Sequence, residues 1–217
     1  MSKTFGFIAT MFAAGAAAHA TPVSATVTAD NHYAIFTVNQ SGLSYVGGNE
    51  TGAAGSPGTY NWSMAESWAF DTTGLVYIAA WSDDSVAQGV LGQFTANGDD
   101  FSSGDARWEV YATGVNRGDG DPHPSVLEMF GHIGDADTGN LWEAPHIGGG
   151  NGISPWSTIA GISGEARWMW KNVDGDSDPL QGGSGAGEML IFRIAVPAPG
   201  AMAIFSAGGL VLLRRRR

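Results

Sequence analysis

At 217 residues the chain has room for a single core once targeting segments are set aside, and its lack of cysteine excludes disulfides, thiol nucleophiles and zinc–thiolate sites. The formal charge of −11 understates its acidity: Lys3 sits in the leader and Arg214 to Arg217 at the very end, leaving five basic residues against 21 acidic ones, a net −16. Such a surface repels phosphate backbones and attracts cations, so nucleic-acid binding is excluded.

The first element is a leader. Lys3 supplies a positive n-region, Phe5 to Ala18 is an uncharged apolar run, and Ala18-His19-Ala20 has the small-x-small form that signal peptidase accepts. Residues 1–20 are therefore expected to be a signal peptide and the chain to be exported, with the mature start near Thr21. The only reading that competes with it is a buried N-terminal helix.

Residues 21–195 then read as one domain built of strands. Val23 to Thr28 and His32 to Val38 are β-branched and aromatic and flank Asp30-Asn31, a natural turn. Leu75 to Trp81 alternates Val76, Ile78 and Ala80 against Tyr77 and Ala79, and Val86 to Phe94 follows a Ser-Asp-Asp turn. Arg107 to Ala112 sets Trp108 and Val110 on one face, Arg167 to Trp170 sets Trp168 and Trp170 on one face, and Glu188 to Ile194 aligns Leu190, Phe192 and Ile194. No segment presents an amphipathic helix longer than two turns, and 33 glycines argue against helix because each costs about 1 kcal/mol relative to Ala. The expectation is an all-β domain, a single β-sandwich or jelly roll.

Three loops gather oxygen donors. Asp174, Asp176 and Asp178, following Asn172, alternate with small residues and read either as a calcium loop or as a solvated Asp-Gly turn. With Asp174 as first ligand, position twelve is Gly185 rather than Glu, which excludes an EF-hand and leaves only a calcium site shared between loops. Residues 116–121 and 135–140 have the same chemistry, and clustered carboxylates in a −16 domain repel one another unless a cation intervenes. His123, His132 and His146 share one Gly/Pro-rich stretch with Glu128 and Glu143 but lack the close spacing of a metal motif, and are expected to be separate surface or turn residues. Arg117-Gly118-Asp119 resembles an adhesion triplet by chance.

Eight tryptophans are heavy use for this length, and most are expected in the core. Trp142 and Trp156 lie in loop-like sequence and are the two candidates for an exposed sugar-stacking platform. No G-x-S-x-G, H-E-x-x-H or kinase-type loop is present, so a non-enzymatic protein is expected. A secreted carbohydrate-active enzyme is the alternative, and a purely structural protein the third class.

The last element, residues 196–217, is a tail. Val196, Pro197, Ala198 and Pro199 stop the final strand, Ala201 to Leu213 is an apolar run of 13 residues, and Arg214, Arg215, Arg216 and Arg217 end the chain. A bilayer calls for about 20 apolar residues, so this is a marginal, glycine-rich span whose arginines would stay cytoplasmic.

Pro-x-Pro, a short apolar helix and a terminal arginine cluster, in a chain with a leader, resemble the PEP-CTERM sorting signal, here in a variant form with Ala198 where the signature has glutamate. The resemblance covers Val196 to Arg217. It implies export, handling by signal peptidase and an exosortase-type sorting enzyme, transient or stable anchoring in the inner membrane, and delivery to the cell surface or extracellular matrix beside exopolysaccharide. Thr-Ala-Asp-Asn-His-Tyr at 28–33, Asn61-Trp62-Ser63, Ala65-Glu66-Ser67-Trp68 and Trp168-Met169-Trp170 loosely resemble galactose-binding-like jelly rolls, which implies fold and not ligand.

Overall fold

A computed structural model describes residues 19–49, 62–83, 86–172, 175, 178–181 and 187–196. Residues 1–18 of the expected leader, residues 197–217 of the expected tail, and Asp174 and Asp176 lie outside the described residues.

Among the described residues, eleven strands and one helix follow in chain order: β1 (Thr21–Asp30), β2 (His32–Asn39), β3 (Gly42–Gly48), β4 (Glu66–Thr72), β5 (Leu75–Trp81), β6 (Gly89–Ala96), β7 (Asp99–Ser102), β8 (Glu109–Asn116), α1 (Val126–Gly139), β9 (His146–Gly150), β10 (Arg167–Trp170) and β11 (Glu188–Ala195). They form two antiparallel sheets. One has the order β4-β1-β6-β10-β9, with β7 also paired to β6; the other has the order β3-β2-β5-β11-β8. The domain is a β-sandwich, as the strand periodicity predicts. None of the described helices is long and apolar enough to cross a membrane.

The Asp30-Asn31 turn does not make a hairpin. It carries the chain from one sheet to the other, so β1 pairs with β4 and β6 while β2 pairs with β3 and β5. Asn31 anchors the crossing: its side-chain oxygen accepts from Ser82 Oγ at 2.7 Å and from the Asp83 N–H at 2.8 Å. Asn49 closes the other side, accepting from the Tyr33 N–H at 2.7 Å and donating to Asn31 O at 2.8 Å.

The main core lies between the sheets and takes Val76, Ile78 and Ala80 from β5 and Leu190, Phe192 and Ile194 from β11. The intervening residues Tyr77, Ala79, Met189 and Ile191 belong to a second cluster on the outer face of the same sheet, covered by Met129 and Ile133 of α1 and by Trp142. Both strands are therefore largely apolar on both faces, Arg193 of β11 being the exception, because each face is covered.

The fourteen-residue helix corrects the expectation of none longer than two turns. Its signals are local. Ser125 caps it, accepting from the Glu128 N–H at 3.1 Å, in the sequence pattern Ser-x-x-Glu that marks helix starts. Asn140 ends it in the left-handed conformation, φ 52°. Met129 and Ala136 are its buried residues, while Leu127 and Phe130 face solvent, so its apolar residues do not gather on one stripe. The segment 135–140, read from sequence as an oxygen-rich loop, is the last turn and cap of this helix.

Val196, assigned to the tail, is buried in the core and its N–H donates to Gly74 O at 2.7 Å. Close approach explains one of the glycines: a Cβ on Gly47 would stand 2.0 Å from the Trp68 ring.

Candidate functional site

A groove of about 530 Å³ opens between the outer face of β8 and the segment that leaves α1. Tyr111 and Thr113 project from β8, Asn140, Trp142 and Glu143 come from the leaving segment, and Lys171 and Glu188 complete the wall. A backbone bridge pins the two sides: Val110 N–H donates to Glu143 O at 2.8 Å and Glu143 N–H returns to Val110 O at 3.1 Å.

Trp142 is the centre of this wall, and three contacts fix its ring. The Arg193 guanidinium lies over one face, 4.0 Å from the ring centroid. The indole N–H donates to Asp137 Oδ1 at 2.7 Å, and Tyr111 meets the ring edge-on at 5.9 Å. Arg193 is itself held, donating to Asp137 Oδ1 at 2.6 Å and to Glu109 Oε2 at 2.7 Å. A cation held over an indole adds about 0.5–2 kcal/mol to ring placement, so the partly exposed indole is oriented before any ligand arrives.

The groove's charges are unequal. Lys171 is ion-paired to Glu143, with its side chain mostly buried. Glu188 accepts from the Gly114 N–H and has no cationic partner among the described residues. The Tyr111 hydroxyl is pushed above its ordinary value by burial first and then by the negative charges of Asp135 and Glu188. The Tyr77 hydroxyl beneath Trp142 is likewise raised by burial and by Asp137, with Arg193 opposing.

The two tryptophans singled out from sequence part company. Trp142 lines the groove, whereas Trp156, expected to be exposed, is 1% exposed. It stacks on Trp168 with ring centroids 4.1 Å apart and donates its indole N–H to Asp30 Oδ2 at 2.7 Å. The physical reason is the gap between the sheets: a large aromatic fills it, and a buried carboxylate needs a donor.

The described residues of the acidic loops make local contacts. Asp178 accepts from the Leu180 N–H at 3.3 Å, and Gly175, at φ +77°, donates to Asn172 Oδ1 at 2.6 Å. In the loop after β8, Asp121 accepts from the Gly118 N–H at 2.7 Å and Asp119 lies 3.1 Å from His32 Nε2. Arg117 is ion-paired to Glu128, donates to Pro122 O at 2.7 Å and lies over Trp81, so the Arg-Gly-Asp triplet is a packed corner. His123 stacks on Tyr45 at 3.9 Å, His132 lies on α1, and His146 is 3.9 Å from Asp178. Among the described residues no three His, Asp or Glu side chains gather in a way that could hold a metal ion.

Sequence reasoning found Trp142 but missed Tyr111, Lys171, Glu188 and the Arg193–Asp137 clamp. One signal was present: Arg193 is a lone charge within the apolar run Met189 to Ala195. A second concavity, of about 400 Å³ beside β6 and β7, is lined by Gln93, Thr95, Asp100 and Ser163, and its aromatic residues Phe94 and Phe101 are buried. No protein-family model matches this chain, and no curated protein or solved structure matches it either.

Proposed function

We propose that this chain is an exported, non-enzymatic protein of the cell surface or extracellular matrix that binds polysaccharide in the Trp142 groove. The observation that carries the reading is the clamped, partly exposed indole of Trp142 in a groove with polar groups on either side. Sugar rings present flat C–H faces to an aromatic ring and hydroxyls to flanking polar side chains, the mixed apolar and polar lining usual for a small-ligand site. Asn140, Thr113 and Glu143 supply such groups at the rim. Arg193 and Asp137 act earlier, by holding the ring so that little side-chain freedom is lost on binding.

Delivery belongs to the two ends. The leader supports passage across the inner membrane, and the tail supports handling by an exosortase-type enzyme followed by release or surface attachment.

Titration with a panel of soluble oligosaccharides, read by tryptophan fluorescence, tests the binding role. Binding is expected for the unaltered protein and a loss of roughly tenfold or more for Trp142→Ala, the size of one stacking contact of about 1.4 kcal/mol. A panel that yields no binding removes the carbohydrate role. Glu143 and Glu188 in one groove favour the secreted carbohydrate-active enzyme as second reading; release of reducing ends from the bound oligosaccharide, lost in Glu188→Gln, would favour it over the binder.

A further inference from the structure

The charge pattern of the Trp142 groove narrows the ligand class. Three kinds of polysaccharide differ in what they bring to it: uronates and sulfated glycans bring anions, N-acetylated and simple hexose polymers bring no charge, and polymers with free amino groups bring ammonium. Lys171, the cation in the groove lining, has a side chain only 15% exposed and is spent on Glu143, and Arg193, over the Trp142 ring, is spent on Asp137 and Glu109. Neither presents an unpaired positive charge to an arriving carboxylate or sulfate. Glu188 remains on the wall, oriented by the Gly114 N–H and without a cationic partner among the described residues. Asp135 adds to the same field, since it and Glu188 both raise the Tyr111 hydroxyl after burial has done so. Around this groove the exported domain carries −16, which draws cations in and turns polyanions away before contact.

We infer that the groove is built for a glycan with free amino groups, a de-N-acetylated hexosamine polymer, whose ring stacks on Trp142 and whose ammonium pairs with Glu188. This rests on the polysaccharide-binding reading above. The acetamide of an N-acetylated sugar is a neutral group and leaves the Glu188 carboxylate facing it without a cation. An ammonium in the same place makes a charge-assisted hydrogen bond in a half-enclosed site, where such bonds are stronger than neutral ones.

Glucosamine oligomers, N-acetylglucosamine oligomers of the same length and galacturonate oligomers, titrated separately into the purified protein at low salt and mildly acid pH, test the inference. The glucosamine oligomer is expected to bind about tenfold more tightly than its acetylated twin, one good ionic hydrogen bond's worth, and the galacturonate oligomer more weakly than either. In Glu188→Gln the amide still accepts from the Gly114 N–H. That variant is expected to lose the preference for the amine and to bind the two twins alike. Equal affinity for the twins, or a preference that survives Glu188→Gln, overturns the inference and leaves polysaccharide binding standing. Glucosamine binding that survives Trp142→Ala marks diffuse adsorption to an acidic surface and also overturns it. Failure of all three oligomers, together with the rest of the glycan panel, removes the binding role itself.

Discussion

Asp30 ends β1 in the gap between the sheets, 9% exposed, with the Trp156 indole N–H on its carboxylate. Burial pushes its pKa from 3.8 to about 6; the Trp156 hydrogen bond pulls it down and Asp83 pushes it further up. The folded state thus holds a proton that the unfolded chain has already released between about pH 4 and pH 6. Stability falls across that window as pH rises and is level above it. At about 1.4 kcal/mol per pH unit, the ionised carboxylate costs roughly 3 kcal/mol at neutral pH. Asp30→Asn keeps an oxygen acceptor for Trp156 and removes the charge. Thermal melts at pH 7.5 are expected to show the variant several degrees more stable than the parent, and melts at pH 4 to show the two alike. A variant with no gain at pH 7.5 would mean that Asp30 is already neutral there, or that its charge is compensated. None of this was visible in the sequence, where Asp30 reads as half of an Asp-Asn turn. Its partner Trp156 lies 126 positions away, and no local pattern links the two.

At the scale of elements, period-two alternation revealed most strands because a strand's two faces meet different neighbours. β5 and the start of β8 follow it closely: Val76, Ile78 and Ala80 enter one core cluster and Tyr77 and Ala79 the other, while Val110, like Trp108 just before the strand, is buried and Glu109 and Tyr111 look outward. β3, with Gly42, Gly47 and Gly48 at its ends, gave no such signal. The pattern also failed at α1, whose inward residues Met129, Ile133 and Ala136 are diluted by outward Leu127 and Phe130 and by Gly131 and Gly134. Its Ser-x-x-Glu start and its terminal Gly-Asn were nevertheless legible. Neither Gly131 nor Gly134 has any atom within 4 Å of where a Cβ would stand. Gly131→Ala and Gly134→Ala are each expected to raise unfolding free energy by roughly 0.5–1 kcal/mol, and urea denaturation checks both. A loss instead would mean that the glycines are needed for a close approach to something beyond the described residues.

At the scale of the molecule, a cysteine-free domain keeps its order through a two-layer core with a helix laid over one sheet. Four of the chain's ten basic residues are Arg214 to Arg217, so removing them would raise the acidity of what remains. Intact-mass measurement of the protein recovered from outside the cell is expected to show a start near Thr21 and an end near the Pro-x-Pro, without Arg214 to Arg217. A mass that includes those arginines would leave a retained anchor in place of a processed tail. Val196 bears on where a cut can fall. It is buried and hydrogen-bonded to Gly74, so cleavage on its C-terminal side spares the core.

The strand character of the domain and the acidity of its sequence follow from composition and short-range order. Each depends on residues one to four positions apart, or simply on counting. Which tryptophan faces solvent does not. Trp142 and Trp156 sit in similar loop sequence, yet one is clamped by Arg193 at a groove and the other is sealed between the sheets on Asp30. Burial is set by what the distant chain brings alongside, and that is known only once both sheets have closed.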